Sequence, residues 1–326
     1  MYRYLVDDEV TCDTVHAAFH IPVQSDQSPS INWDISRYDL FIIDEVSMIS
    51  EGIFNHILKT LNSVVFRPVL LLSGDLVQQQ PFTCANGRIM QLTSPLDNRQ
   101  FIATTYHYNL QGQHRVGDER YLQFLDHIRH WIPQQSLLDD LQAGHVITEE
   151  EQVTDDNIME AYRMHPNTTV LTFTRQASNH INDLMTARLF HDVTPLATAQ
   201  LNNDLPPTNI YTGMGIVITQ NRDKANNVVN GQLGIVQTVF LKLPTGKVVN
   251  VYPVASLKNG QQQTVYHFSA AYATTMCKAQ GQTLQKATPG TAYVALSRVK
   301  TLDDIYFLSP LRTKFFTPVT RDSHQL

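Results

Sequence analysis

The stretch YDLFIIDE, residues 38–45, constrains the fold of this chain more than any other. Leu40, Phe41, Ile42 and Ile43 form a short apolar run with no helical period, and it ends in two adjacent carboxylates, Asp44 and Glu45. Such a run predicts a buried strand of a parallel sheet. Open α/β sheets bind their ligands beyond the carboxyl ends of the strands. A hard cation such as Mg²⁺ takes carboxylate oxygen, and a water about to attack a phosphate needs a base beside it. A strand that simply ends in a solvated turn would have the same local sequence, so the pattern needs support from elsewhere.

That support comes from repetition. Residues 69–72 are a second apolar run, and Ser73-Gly74-Asp75 follows it. Between the two runs, Ser50 is placed to cap a helix to about Ser63, with Ile53, Ile57, Leu58 and Leu61 on one face. Two strands joined by a helix, each delivering an aspartate, fit a βαβ unit. Further on, Tyr121, Leu122, Leu125 and Ile128 describe an amphipathic helix over 118–131, stopped by Pro133. Residues 133–156 are polar and acidic and read as a domain boundary. A strand over 169–173 and a helix over 176–190 open a second α/β unit. Short β runs follow at 215–219, 234–241 and 247–254, with turns at Asn230-Gly231 and Thr245-Gly246. They predict a small, barrel-like, β-rich insert over about 230–265. A strand over 305–308 closes the pattern. The expectation is an α/β chain with a first domain over 1–132, a linker over 133–164 and a second domain over 165–326.

Composition narrows the chemistry. With 24 Lys and Arg against 30 Asp and Glu, the net charge of −6 argues against a general basic footprint for nucleic acid, although a local groove can still be basic. No run is long or apolar enough to span a bilayer, and the first ten residues lack the apolar core of a signal peptide. Cys12, Cys84 and Cys277 are too far apart in sequence for a metal-ligand motif, so an intracellular, reducing compartment is expected. His16 and His20 stand four apart without the glutamate a zincin helix needs. The chain also contains no G-x-x-x-x-G-K-[ST] loop. Its nearest look-alike, Thr245-Gly246-Lys247, has Leu241 where the first glycine belongs and Val248 where the hydroxyl belongs, and reads as a hairpin turn.

Taken together, the motifs resemble the superfamily-one DNA helicases of the PIF family, relatives of RecD, and in particular the helicase part of Helitron transposon proteins. LFIIDEVSM is similar to helicase motif II and SGDLVQQQP to motif III. LQGQHRVGD with YLQFLDHIR resembles the motif IV region, ATTMCKAQGQTL motif V, YVALSRV motif VI, and TVHAAFHIP motif Ia. The resemblance runs through nearly the whole chain, in order. It implies two RecA-like domains of P-loop NTPase type, the first truncated, with ATP between them. It also implies ATP-driven, five-prime-to-three-prime unwinding of single-stranded or forked DNA in repair, recombination, transposition or telomere maintenance, in the nucleus or another intracellular compartment.

By the same resemblance, Asp44 would hold Mg²⁺ and Glu45 would activate water. Gln78 would sense the γ-phosphate, and Arg115 and Arg298 would reach it from the second domain. Gly281 would lie at the nucleotide. Thr14, His16 and Phe19, together with Lys278, Gln280 and Thr283, would contact DNA. The chain departs from the family in lacking the phosphate loop and in carrying Cys277 where His or Asn is usual. In addition, QKATPGTA, residues 285–292, stands where a sheet strand is normal and has no strand pattern. A fragment of a helicase is expected. The alternative is an inactive remnant that binds single-stranded DNA or a partner.

Overall fold

The computed structural model describes residues 10–22, 28–75, 78, 81–85, 88–110, 115–150, 152–172, 174–201, 207–220, 228–237, 240–243, 245–250, 254–258, 261–275, 287–288 and 292–316. The chain divides between Gln111 and Gly112 into two compact units.

In the first unit a single helical turn, α1 (Val15–Ala18), precedes strand β1 (Leu40–Ile43), helix α2 (Glu51–Ser63) and strand β2 (Val69–Leu72). The apolar run and the helix lie where the sequence places them. Ser50 caps α2, its hydroxyl accepting from the Ile53 amide at 3.4 Å. β1 and β2 pair in parallel, with Ile43 opposite Leu72, so their carboxyl ends lie side by side. Phe54, Ile57 and Leu61 of α2 pack with Ile43, Phe19 and Ile35 into this unit's core. Each such side chain contributes about 1.5–3 kcal/mol on burial. A hairpin of β3 (Phe82–Ala85) and β4 (Arg88–Gln91) and a short helix α3 (Arg99–Ala103) complete the unit, and the Phe101 ring stands edge-on to Phe54. The strands differ from expectation in one respect. Only one face of the β1–β2 pair is covered, while Leu40, Ile42, Val69 and Leu71 on the other face are exposed, Val69 by 65%. The run is therefore half-buried, because α2 covers a single side.

The second unit has two adjoining cores. In one, helices α4 (Glu119–His130) and α5 (Gln135–Gln142) pack against the residues that end the described chain, from Ala295 to Phe316. In the other, helices α6 (Asp155–Met164) and α7 (Arg175–Leu189) flank strand β5 (Thr169–Thr172) and the β-rich region. The segment expected as a linker therefore folds: Leu138 and Leu141 of α5 are buried beside α4, and Ile158 and Met159 of α6 enter the second core.

The β-rich region begins with a hairpin of β6 (Ala197–Ala199) and β7 (Thr208–Ile210). Strands β8 (Gly215–Ile218), β9 (Leu233–Val236), β10 (Phe240–Lys242) and β11 (Val248–Asn250) follow, then a hairpin of β12 (Val254–Lys258) and β13 (Gln261–Val265), then β14 (Phe268–Ala270). Among the described residues these form an open five-stranded antiparallel sheet in the order β11-β10-β9-β8-β14, not the barrel the sequence suggested. The Thr245-Gly246 look-alike is the β10–β11 hairpin turn, with Gly246 at φ +82°.

Strands β15 (Ala273–Thr275) and β16 (Ala287–Thr288) flank β5 in a parallel sheet, and helix α8 (Ala292–Leu296) comes last. β16 corrects the expectation of no strand over 285–292: Ala287 and Thr288 pair with Thr169 and Val170, a segment too short to leave a periodic signal. The strand expected over 305–308 is not a ladder but isolated bridging, with Phe307 paired in parallel to Val146. Among the described residues no helix is long and apolar enough to cross a membrane.

Candidate nucleotide and nucleic-acid site

The first cluster stands at the carboxyl ends of β1 and β2. The Ser73 amide donates to the Ile43 carbonyl at 2.9 Å, and the Val46 amide to the Ser73 carbonyl at 3.0 Å, so the two strand ends are stitched together beyond the sheet. Asp44 is exposed and Glu45 half-buried. Glu45 has φ 54° and ψ 41°, the left-handed conformation that costs a non-glycine residue about 1–2 kcal/mol. Gly74 is closely packed, since a Cβ there would lie 3.0 Å from the Val46 amide nitrogen and 3.1 Å from its Cγ1, so the Val46 turn would have to give by a few tenths of an ångström. Ser47 is completely buried, and its Oγ has no hydrogen-bond partner among the described residues. Strained backbone, a close-packed glycine and an orphaned hydroxyl meet at one spot. Local departures of this kind collect where function over-determines structure.

Asp75 and Gln78 belong to the same cluster. The Gln78 amide Nε2 donates to Asp75 Oδ2 at 3.0 Å, and its backbone N–H to the Asp75 carbonyl at 3.2 Å. Asp44 and Glu45 thus stand at the end of β1, and Asp75, bonded to Gln78, just past the end of the adjoining β2, in the same unit. Among the described residues no three His, Cys, Asp or Glu converge into a ready-made metal cage. The site still fits Mg²⁺, which keeps several waters and needs one or two carboxylates plus phosphate oxygens. It does not fit the phosphates alone, because the sequence carries no phosphate loop.

The second cluster lies within the second unit, at the end of α8. The last carbonyls of a helix have no partner of their own. Here the Arg298 Nε takes the Val294 carbonyl at 2.9 Å, the Tyr121 hydroxyl takes Leu296 at 2.6 Å, and the Arg115 Nη1 takes Ser297 at 3.0 Å. The Arg298 Nη2 also donates to Ser297 Oγ at 2.8 Å. Both predicted arginines therefore converge on Ser297. They differ in setting: Arg115 is half-buried, whereas Arg298 is 1% exposed and turned inward. Burial pushes the Tyr121 phenol well above its ordinary range, which keeps it a donor.

The motif Ia residues divide. The Thr14 hydroxyl caps α1, accepting from the Ala17 amide at 3.3 Å, and His16 is half-buried. Phe19 is a correction: it is 2% exposed and its ring packs on Phe41 at 5.6 Å, so it is a core residue with no face open to a base. Lys278, Gln280, Gly281 and Thr283 lie outside the described residues. A cavity of about 270 Å³ in the second unit, lined by Thr169, Thr219, Asn230, Gly231 and Thr274 among others, contains no predicted site residue. Ser47, Gly74 and Ser297 stood inside the quoted motifs without a role. The available signals were a glycine wedged between strand and aspartate, and lone serines in otherwise apolar segments.

No family model matches the chain, and no curated protein matches it significantly. Solved structures do match. A Bacteroides Pif1 helicase in complex with ADP-AlF3 and single-stranded DNA aligns with TM-score 0.66 at 18% identity, over 93% of this chain and 80% of that one. A structure of two coordinating Pif1 helicases at forked double-stranded DNA aligns with TM-score 0.65 at 18% identity, over 94% and 80%. Pif1 helicase from Candida albicans aligns with TM-score 0.62 at 18% identity, over 86% and 73%. The α/β fold of this chain is that of the Pif1 helicases.

Proposed function

We propose that the chain is the motor part of an ATP-dependent DNA helicase of the PIF or Helitron type, moving five-prime to three-prime on single-stranded DNA. The observation that carries this reading is the strand-end cluster of Asp44, Glu45 and Gln78, found in a fold shared with Pif1 helicases. Bound Mg²⁺ would neutralise charge on the phosphate oxygens. Asp44, exposed at the strand end, is the residue to hold it. Glu45 takes the proton of the attacking water. Gln78, which donates to Asp75, is the polar group to sense a γ-phosphate. Arg115 offers its guanidinium to phosphoryl oxygens, and Arg298 steadies the same turn through Ser297. Thr14, His16, Lys278, Gln280 and Thr283 supply contacts to DNA, and Gly281 a close backbone approach to nucleotide.

One observation favours a second reading, a catalytically inactive remnant that binds single-stranded DNA or a partner: the sequence contains no phosphate loop. The helicase reading requires DNA binding. Fluorescence anisotropy with a labelled single-stranded oligonucleotide at low salt is the test. The expected result is weak binding with little sequence preference, falling steeply with salt. No binding at tens of micromolar protein would overturn the proposal.

A further inference from the structure

With Phe19 in the core, the α1 segment offers no aromatic face of its own to a base. A neighbouring turn does. Residues Trp33–Arg37 form a 3-10 turn whose Ile35 enters the core of the first unit, while Trp33 is 61% exposed and Arg37 is exposed. This turn is fastened to the α1 segment at both ends. At its start, Asn32 Nδ2 donates to the carbonyl of Ala18, the last residue of α1, at 2.9 Å, and Asn32 Oδ1 accepts from the Asp34 amide at 3.0 Å. At its end, the Tyr38 and Thr11 hydroxyls share a hydrogen bond of 2.9 Å. The two turns therefore lie side by side, and Thr14 and His16 belong to the stretch between the two fastenings.

The anchoring fixes the backbone under Trp33 without covering the indole. The Arg37 guanidinium stands over the Tyr38 ring, 5.2 Å from its centroid, and Tyr38 meets Phe41 edge-on at 5.8 Å. A cation is thus held on the same short turn as an exposed, flat ring. Single-stranded nucleic acid uses this pairing: a base stacks on the ring and a phosphate meets the guanidinium. Asp13, Asp34 and Asp39 are exposed on the same stretch, so the net pull on phosphate is small and the ring carries the larger share.

We infer that Trp33 and Arg37 form a stacking site for one base of single-stranded DNA, Trp33 taking the part that Phe19 cannot. The inference rests on the DNA-binding reading above.

Intrinsic fluorescence tests it, because Trp33 and Trp131 are the two tryptophans of the chain. In the Trp131→Phe variant all tryptophan emission comes from Trp33. Titration with oligothymidylate at low salt should quench that emission over the concentrations at which the anisotropy of a labelled oligonucleotide rises. Trp33→Ala should weaken binding about tenfold, within the worth of one base–aromatic stack, and leave the salt slope unchanged. Trp33→Phe should restore most of the affinity. Arg37→Gln should lower the salt slope by about one. Binding with no change in Trp33 emission, an unaltered affinity in Trp33→Ala or an unaltered slope in Arg37→Gln would overturn the inference and leave DNA binding standing. Absence of oligonucleotide binding by the natural chain would refute the DNA-binding reading, and this inference with it.

Discussion

Asn182 is the residue whose loss should be felt most in the second unit. It lies in the interior of α7, where asparagine is a poor helix former, and it is buried. Its amide grips the backbone of β15 from both sides. Nδ2 donates to the Ala273 carbonyl at 3.0 Å, while Oδ1 accepts from the Tyr272 amide at 3.0 Å and the Ala273 amide at 2.9 Å. Ser178, one turn earlier, adds a bond to the same carbonyl at 3.0 Å. Asn182 thus fixes the register of β15 against α7.

Asn182→Ala removes all three bonds and leaves two buried N–H groups unpaired, each at about 1–3 kcal/mol, while Ser178 still serves the carbonyl. The gain in helix propensity returns about 0.5 kcal/mol. The net loss is about 1.5–5.5 kcal/mol, or about 3–22 °C in the melting temperature of a unit this size. Asn182→Asp separates the terms. It keeps the acceptor but sets a carboxylate oxygen against the Ala273 carbonyl, which raises the folded-state pKa above the unfolded value of about 3.9. A raised pKa gives stability that is present at acid pH and lost as the pH rises through the folded pKa. The Asn182→Asp variant should thus lie closer to the natural chain at pH 4 than at pH 7. Urea unfolding at the two pH values is the assay. A loss below about 1 kcal/mol for Asn182→Ala, or a pH-independent deficit for Asn182→Asp, would refute the bracing role.

Gly74→Ala should destabilise the first unit by about 1–3 kcal/mol, because the new Cβ crowds the Val46 backbone and Cγ1, which must shift by a few tenths of an ångström; an unchanged unfolding midpoint would contradict the close packing. Phosphate release from ATP by the chain alone should be slow even with single-stranded DNA, since positioning and charge neutralisation supply most of phosphoryl-transfer catalysis and no phosphate loop is present to provide them. Fast turnover that vanishes in Glu45→Gln would show the missing loop to be dispensable. Burial raises the Tyr272 phenol from 10.0 to about 12, so the folded state holds that proton more tightly than the unfolded chain does. Stability should therefore be intact below pH 10 and fall as the pH rises toward 12, and Tyr272→Phe should flatten the decline.

How much of this was legible in the sequence depended on the range over which each feature is determined. The strand 40–43, the capped helix after Ser50 and the strand 69–72 are fixed by local periodicity and capping chemistry, and they form at those residues. The acidic strand ends were legible for the same reason. Burial was not. Leu40 and Ile42 look as apolar as Phe41 and Ile43, yet which face of a strand is covered depends on what packs there, and α2 reaches one side only. Phe19 failed in the opposite direction, because an aromatic beside a histidine gives no sign of whether a partner such as Phe41 will enclose it.

β16 was missed because two residues cannot establish a period; its strand character comes entirely from lying beside β5. The convergence of Arg115 and Arg298 was the least accessible feature. The two are far apart in the chain, and what joins them is the set of carbonyls left open at the end of α8, which exists only once that helix has folded against α4. Motif order could nominate both arginines. Only the packing reveals that one is half-buried and the other turned inward, with Ser297 bonded to both. The same geometry makes Ser297 the shared acceptor of two guanidinium groups, a part its place in an apolar helix end did not announce.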